Sequence, residues 1–355
     1  MNAKTFFKIN IFLIFLGLFL SAGTMIVVDP YFHHHKPLSF IAYRLDNQRY
    51  INDGIVKHFD YDSIITGTSM TENFKSSQFD ELFNTNSIKV PFSGGSYREI
   101  NDNIKVALEN NDKIKYVLRG LDYKKINQNH KYRTYSNYPE YLYDNKLSND
   151  YKYWWNKDIW YKGIFVNLRY NLKRNKTTTF DEYSYWSDQF TPGKKEVLKR
   201  YERPNHSAEK LTLTDVDIKR IDKNIEENVV NLAKEYPNVK FIYFITPYSI
   251  VYWDKLNQKN EIEKQIDSEK ILIEKILEVP NIELYSFFDN YELITDLNNY
   301  KDPEHYMGKI NDQILEWIKE GKYRLTKENY EKYLESNLQF YKNYNYDSIF
   351  RDEKK

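Results

Sequence analysis

Five short apolar runs punctuate this chain, and their alternation with helical patterns limits the fold more than any other feature. Ser63–Thr66 runs into the small-residue turn Gly67-Thr68-Ser69 and then a segment in which Phe79, Leu82 and Phe83 share a face. Ile88–Phe92 opens into Ser93-Gly94-Gly95-Ser96, where Ser96 and Glu99 have the spacing of a capping box for a helix carrying Ile100, Ile104, Ala107 and Leu108. Ile114–Leu118 ends in Arg119-Gly120-Leu121-Asp122. Later, a helical pattern over 215–236 feeds Val239–Ile245, a helix over about 261–277 leads to Ile282–Tyr285, and a last helix carries Ile310, Ile314, Leu315 and Ile318. Strands alternating with amphipathic helices require right-handed crossovers and a parallel sheet covered on both faces. The expected class is therefore α/β, a three-layer sandwich around a central parallel sheet of about five strands. Ligands of such sheets bind at the carboxyl ends of the strands, which is where Gly67–Ser69, Ser93–Gly95 and Arg119–Asp122 fall.

The N-terminus carries a second constraint. No charged residue occurs from Ile9 to Val28, a run long enough to cross a bilayer core. Lys4 and Lys8 precede it and Asp29 follows, so the positive-inside rule leaves 1–8 in the cytoplasm and everything after the span outside. A cleaved signal peptide competes, because Ser21-Ala22-Gly23 offers small residues. Apolar residues continue past that point without a small-x-small site, which favours a retained anchor. Either way the remainder is extracytoplasmic, and the expected location is the cell membrane, single-pass. The triplet His33-His34-His35 invites a metal. Adjacent residues diverge on a helix or strand, however, so one ion rarely uses all three. The expectation is a juxtamembrane aromatic and imidazole belt at the headgroup level, with no metal and no cofactor.

Composition narrows function by exclusion. Basic and acidic residues number 52 and 51, for a net charge of +1, and they are interspersed, so there is no electrostatic footprint for nucleic acid. The absence of cysteine excludes disulfides, thiolate ligands, a cysteine nucleophile and a lipid-modified cysteine. Aromatic residues make up 17% of the chain, with 33 Tyr, more than core packing needs, so some rings are expected to face a ligand or a surface. Many of them crowd into 124–203, where the strand–helix alternation stops. A stretch this long reads as an insertion or cap over the sheet edge, with rings able to stack on sugar faces. The expected division is 1–8 cytoplasmic, 9–28 anchor, 29–60 lead-in, 61–123 and 204–325 catalytic domain, 124–203 aromatic insertion, and 326–355 charged helical appendage. No internal repeat or low-complexity linker occurs.

Ser69 sits where a strand ends, the backbone bends through Gly67 and Thr68, and a helix N-terminus begins; this is the arrangement of a nucleophile elbow. The same residues are also ordinary N-capping chemistry. Asp302-Pro303-Glu304-His305 lies in the loop after the last strand and so reaches the same sheet edge. A serine nucleophile needs a base, and the base needs an acid to fix its tautomer. Asp and His three residues apart can supply both from one turn.

Taken together, Gly67-Thr68-Ser69, Gly94-Gly95 and Asp302-x-x-His305, in that order, resemble the SGNH hydrolase superfamily over roughly residues 61–122 and 239–318. With the N-terminal span, the resemblance is to the membrane-anchored branch acting on bacterial surface polymers, which includes the proteins of D-alanyl teichoic acid synthesis and alginate O-acetylation. The resemblance implies a flavodoxin-like sheet, Ser69 as nucleophile, His305 as general base, Asp302 as its partner, and the N–H groups of Ser69 and Gly95 as oxyanion donors. Gly-Thr-Ser stands where Gly-Asp-Ser is usual. The third block reads Arg119-Gly120-Leu121-Asp122, without its asparagine, so Thr68, Asn73, Arg119 and Asp122 are candidate substrate or support residues, with Arg119 or Asn73 as substitute donors. The implied activity is that of a serine esterase or O-acyltransferase on a cell-surface polysaccharide or teichoic polymer, with a membrane-bound O-acyltransferase as partner. A non-catalytic glycan-binding or assembly role on the same fold is the alternative, and a lipase is a weaker third because the insertion is polar.

Overall fold

The computed structural model describes residues 1–135, 138–144 and 146–351. Residues 136, 137 and 145 of the expected insertion and 352–355 of the expected appendage lie outside them. The chain divides into two compact units, one made of 1–60 and 135–179, the other of 61–134 and 180–355. The aromatic-rich stretch 124–203 is thus shared between the two rather than forming one body.

In the first unit, helix α1 (Ala3–Val28) is capped by the Asn2 side chain and ends at Asp29 in the left-handed region at φ 41°. It is long and apolar enough to cross a membrane. Its residues up to 20 are exposed, the Leu18 carbonyl and the Ser21 hydroxyl accept from the Trp155 indole, and Met25 is fully buried. Helix α2 (Gln48–His58) follows, with Ile51, Ile55 and Val56 buried. From the 135–179 segment come the short helix Tyr151–Trp154 and three abutting helical pieces, Lys157–Ile159, a π-helical Trp160–Phe165, and Val166–Leu172.

The second unit is built on a six-stranded sheet in the order β2-β1-β3-β4-β5-β6. Its strands are β1 (Ser63–Gly67), β2 (Ser87–Pro91), β3 (Tyr116–Leu121), β4 (Lys240–Ile245), β5 (Ile282–Ser286) and β6 (Arg324–Leu325). The first five run parallel, as the alternating pattern requires; β6 is antiparallel to β5 and adds an edge the sequence did not announce. Helix α3 (Ser76–Phe83) connects β1 to β2, and helix α4 (Tyr97–Asn110), with the Ser96–Glu99 capping box formed, connects β2 to β3. The 215–235 helix has a π segment, Glu226–Val230, at its centre. Two carbonyls of that segment are taken from the sheet side, Asn228 O by the Arg119 guanidinium (2.8 Å) and Val229 O by the Tyr243 hydroxyl (3.0 Å).

Tyrosine is used here as a core residue with a satisfied polar tip. Tyr97, Tyr243, Tyr300, Tyr306 and Tyr341 are all buried, and each hydroxyl donates to a backbone carbonyl. That pattern accounts for part of the aromatic excess without a ligand. The helix Tyr330–Asn343 belongs to the same core: Tyr341 stacks on Trp253 at 3.7 Å between ring centroids.

Candidate functional site

Register decides what meets at the sheet edge. Gly67 ends β1 opposite Pro91 of β2, and Phe92 N donates to Gly67 O at 2.8 Å, so the turns after the two strands lie side by side. Gly67 has φ +150°, and a Cβ there would come within 2.5 Å of Thr71 Cγ2. A Cβ on Gly120 of β3 would meet the same methyl at 2.7 Å. The two glycines therefore let the 3₁₀ turn Ser69–Thr71 sit directly on the strand ends. Thr71 N and Oγ1 both bond back to Thr68 O, at 3.0 and 2.9 Å, which fixes the turn.

On that turn the Ser69 hydroxyl lies 2.8 Å from His305 Nε2. His305 Nδ1 lies 2.9 and 3.0 Å from the two oxygens of Asp302. Asp302 Oδ1 also accepts from the backbone N–H groups of Glu304 (2.9 Å) and His305 (2.8 Å), which folds the loop around its own carboxylate. Burial pushes the Asp302 pKa up, but the His305 side chain and these backbone donors outweigh it and bring the group down to about 2. The acid is therefore ionised throughout the neutral range and holds Nδ1–H toward itself, leaving Nε2 as the acceptor facing Ser69.

The serine turn and the histidine loop are tied together through one atom. Met70 O accepts from Tyr306 Oη and from Asn311 Nδ2, both at 3.0 Å, so the residues following Ser69 and His305 are linked. Ser249, just after β4, donates its hydroxyl to Pro303 O at 2.7 Å. Lys124 pairs with Glu304. Trp186 stands edge-on to the His305 ring at 5.8 Å, and the Lys301 ammonium lies 3.4 Å from the Trp186 ring centroid. Sequence reading missed Tyr306, Asn311 and Ser249; adjacency to His305 was the one signal that pointed to any of them. A cleft of about 570 Å³ opens beside His305, lined by Arg200, Tyr252, Lys255 and Glu304 among others.

The other candidate residues fall into support positions. Thr68 Oγ1 donates to Asp122 Oδ2 at 2.9 Å and so bridges the ends of β1 and β3. Asp122 is buried, which raises its pKa. Asn73 turns its Oδ1 to the N–H groups of Trp186 (3.0 Å) and Ser187 (3.1 Å), while its Nδ2 is buried without a partner and is out of reach of a ligand. Arg119 is fully buried, donates to Asn228 O and Tyr97 O, and packs against the Tyr97 and Tyr243 rings. Neither side chain is placed as the substitute oxyanion donor expected from the sequence. Gly95 N donates to Phe92 O at 2.7 Å, closing a turn in which Gly94 has φ +63°, so the Gly95 N–H is already engaged. Ser69 N and Gly94 N have no acceptor among the described residues.

A separate cluster in the first unit concerns the histidine triplet. The Asp29 carboxylate accepts from His33 N (2.9 Å), His34 N (2.7 Å), His35 N (2.9 Å) and Tyr153 Oη (2.8 Å). That makes the segment neither helix nor strand, so the divergence of adjacent side chains does not hold: the His33 and His34 rings are 4.6 Å apart. His33, His34 and Asp150 bring ligand-type atoms within 4.8 Å of one another. Both Nε2 atoms already have partners, His33 with Asp150 (3.1 Å) and His34 with the Trp154 indole (3.0 Å).

Compared with protein-family models, curated proteins and solved structures, the chain gives no match. The functional reading rests on the residues and their geometry.

Proposed function

We propose that this chain is a membrane-anchored, extracytoplasmic serine enzyme of SGNH type that moves or removes an O-linked acyl group on a cell-surface glycan or teichoic polymer. The observation that carries the reading is the continuous hydrogen-bonded series Ser69–His305–Asp302 at the carboxyl edge of a parallel sheet. The order β2-β1-β3-β4-β5 matches that of flavodoxin-like doubly wound sheets and supports that layering. The build of α1 into its unit supports a retained anchor: Tyr43 Oη donates to Val28 O, and His35 Nε2 lies 2.9 Å from Ile26 O.

In this mechanism Ser69 Oγ attacks the ester carbonyl while its proton passes to His305 Nε2, and Asp302 stabilises the imidazolium. The N–H of Ser69, with that of Gly94, faces the oxyanion. The tetrahedral intermediate collapses to an acyl-serine as His305 returns the proton to the leaving alcohol. A polymer hydroxyl or water, deprotonated by His305, then attacks the acyl carbon and regenerates Ser69. The acceptor decides between transfer and hydrolysis. A membrane-bound O-acyltransferase as acyl source belongs to the same proposal.

One observation favours the alternative of a non-catalytic binding or assembly protein: Arg119 and Gly95 are engaged elsewhere and Asn73 Nδ2 is buried, which thins the donor set. Labelling of the full-length protein by a fluorophosphonate probe separates the two. Labelling that disappears in Ser69→Ala, together with loss of p-nitrophenyl acetate hydrolysis, is the expected result. Equal hydrolysis by wild type and Ser69→Ala would sink the catalytic assignment.

A further inference from the structure

The first unit carries a second apolar surface besides α1. Along the helical run 157–172, Tyr161, Phe165, Leu168 and Leu172 are 68%, 59%, 55% and 76% exposed. Their spacing of i, i+4, i+7 and i+11 places them on one stripe. The opposite face is fixed: Ile159 and Gly163 are buried, Asn167 Oδ1 accepts from Arg44 N at 2.9 Å, and Asn171 bonds both N and O of Ala42 at 2.8 Å. A Cβ on Gly163 would lie 2.7 Å from Pro30 Cγ, so the glycine lets this helix run against the end of α1. The stripe is therefore held outward by anchored packing. A large, ordered, exposed apolar surface marks a site of interaction.

Three observations say what covers it. First, the helical run lies at the outer end of α1. The uncharged run Ile9–Val28 rises about 30 Å at 1.5 Å per residue, the thickness of a hydrocarbon core. Gly163 packs against Pro30, two residues past Val28, and the preceding Trp155 Nε1 donates to Ser21 Oγ at 3.0 Å and Leu18 O at 3.3 Å. Second, between 151 and 179 the chain carries seven basic residues and a single acid, Asp158, in a protein whose overall charge is near zero. Third, Lys162, Arg169 and Lys173, all exposed, sit beside the apolar stripe. Aromatic and aliphatic residues on one stripe with a basic flank are the pattern of a helix lying in a membrane interface.

We infer that the helical run 157–172 lies in the outer headgroup region beside α1, with Tyr161, Phe165, Leu168 and Leu172 in the acyl boundary and the basic flank on anionic headgroups. The inference rests on α1 as a membrane span and not on the chemistry of Ser69. Each exposed Lys or Arg near an anionic surface adds to the attraction. The assembly thus has two membrane contacts, and the second fixes the rotation of the first unit about α1.

The cysteine-free sequence permits a direct test. Full-length protein bearing one cysteine in place of Phe165, Leu168, Leu172, Lys162, Lys173 or Phe12 is nitroxide-labelled and reconstituted in phosphatidylcholine vesicles with and without phosphatidylglycerol. Collision with oxygen and with a water-soluble nickel complex is then measured. The expected result is a severalfold higher oxygen-to-nickel ratio at 165, 168 and 172 than at 162 and 173, rising further with the anionic lipid, and a high ratio at Phe12. Equal ratios at stripe and basic positions, with Phe12 in lipid, would overturn the inference alone. Stripe labels shielded from both reagents would mean a protein covers them, with dipolar broadening identifying a second copy; that too overturns it. A Phe12 label in water would overturn the span, and the inference with it.

Discussion

Asp302 offers a substitution pair that tests both functions of a triad acid. In Asp302→Asn the amide oxygen can keep the N–H groups of Glu304 and His305, now 2.9 and 2.8 Å from Oδ1. The amide NH₂ then faces His305 Nδ1. Two donors cannot pair, so Nδ1 must shed its proton to accept, and Nε2 carries it instead. At 2.8 Å from Ser69 Oγ, a protonated Nε2 can donate to the hydroxyl but cannot take its proton. The expected loss in kcat is about 10⁴-fold, the size known for the same change in serine proteases. Asp302→Ala imposes no tautomer. It removes the carboxylate that orients the imidazole and stabilises its charged form, a loss that costs about 3 × 10⁴-fold in kcat in subtilisin. Both variants should therefore fall by about four orders of magnitude, asparagine through the wrong tautomer and alanine through the lost carboxylate. The assay is kcat/KM for p-nitrophenyl acetate with detergent-solubilised full-length protein. Thermal unfolding is followed in parallel, because alanine also strips an acceptor from two backbone donors at about 1 kcal/mol each. An asparagine variant at wild-type rate would refute the tautomer argument, and an alanine variant at wild-type rate the role of the carboxylate.

Two further outcomes follow from the surrounding structure. Glu269 is fully buried between the hydroxyls of Tyr123 and Tyr333, both at 2.7 Å, and burial raises its pKa from 4.5 to about 7 despite those bonds. The folded state keeps a proton that the unfolded chain has released, so this stability is fully present below pH 4.5 and is lost as pH rises to 7, by about 3 kcal/mol. Chemical denaturation of wild type and Glu269→Gln between pH 4.5 and 8 should show the slope in the wild type and a shallower one in the variant; parallel curves would contradict it. Gly67→Ala should abolish soluble expression or strongly lower the melting temperature, because the new methyl meets Thr71 Cγ2 at 2.5 Å on a backbone at φ +150°. Adding Thr71→Ser removes the closest contact but leaves Thr71 Oγ1 at 3.0 Å, Gly120 N at 3.2 Å and the backbone strain, so the double variant should recover only part of the loss.

The sheet was legible because each parallel strand is a short apolar run ended by a turn, and periodicity reads such runs directly. The same punctuation exposed Ser69, Asp302 and His305, since strand ends fix where side chains collect. What periodicity cannot read is contact at long range. Asn73 meets the backbone of Trp186 113 residues away, and Met70 O meets Asn311 241 residues away, so neither partner leaves a local mark. β6 escaped because two residues have no period. The histidine triplet misled because Asp29, four to six residues upstream, imposes a bend that neither helix nor strand rules describe. Arg119 looked available because sequence shows a charge but not the π segment whose carbonyl it takes.

These engaged side chains bear on rate rather than on the order of chemical events. Proton transfer along Ser69, His305 and Asp302 needs only the series of bonds already formed. Charge on the carbonyl oxygen needs donors, and removing one costs about 10²–10³ in kcat. Two backbone N–H groups, those of Ser69 and Gly94, remain without acceptors among the described residues. A third donor supplied by substrate or partner would restore that factor, and its absence would leave a slow enzyme with an intact triad. Slow hydrolysis is tolerable in a transferase, because an acyl-serine that resists water survives long enough to meet an acceptor hydroxyl. The same thinning of donors that weakens the case for an efficient esterase is thus compatible with acyl transfer. It also makes the ratio of transfer to hydrolysis, measured with a polyol acceptor, more informative than the absolute rate.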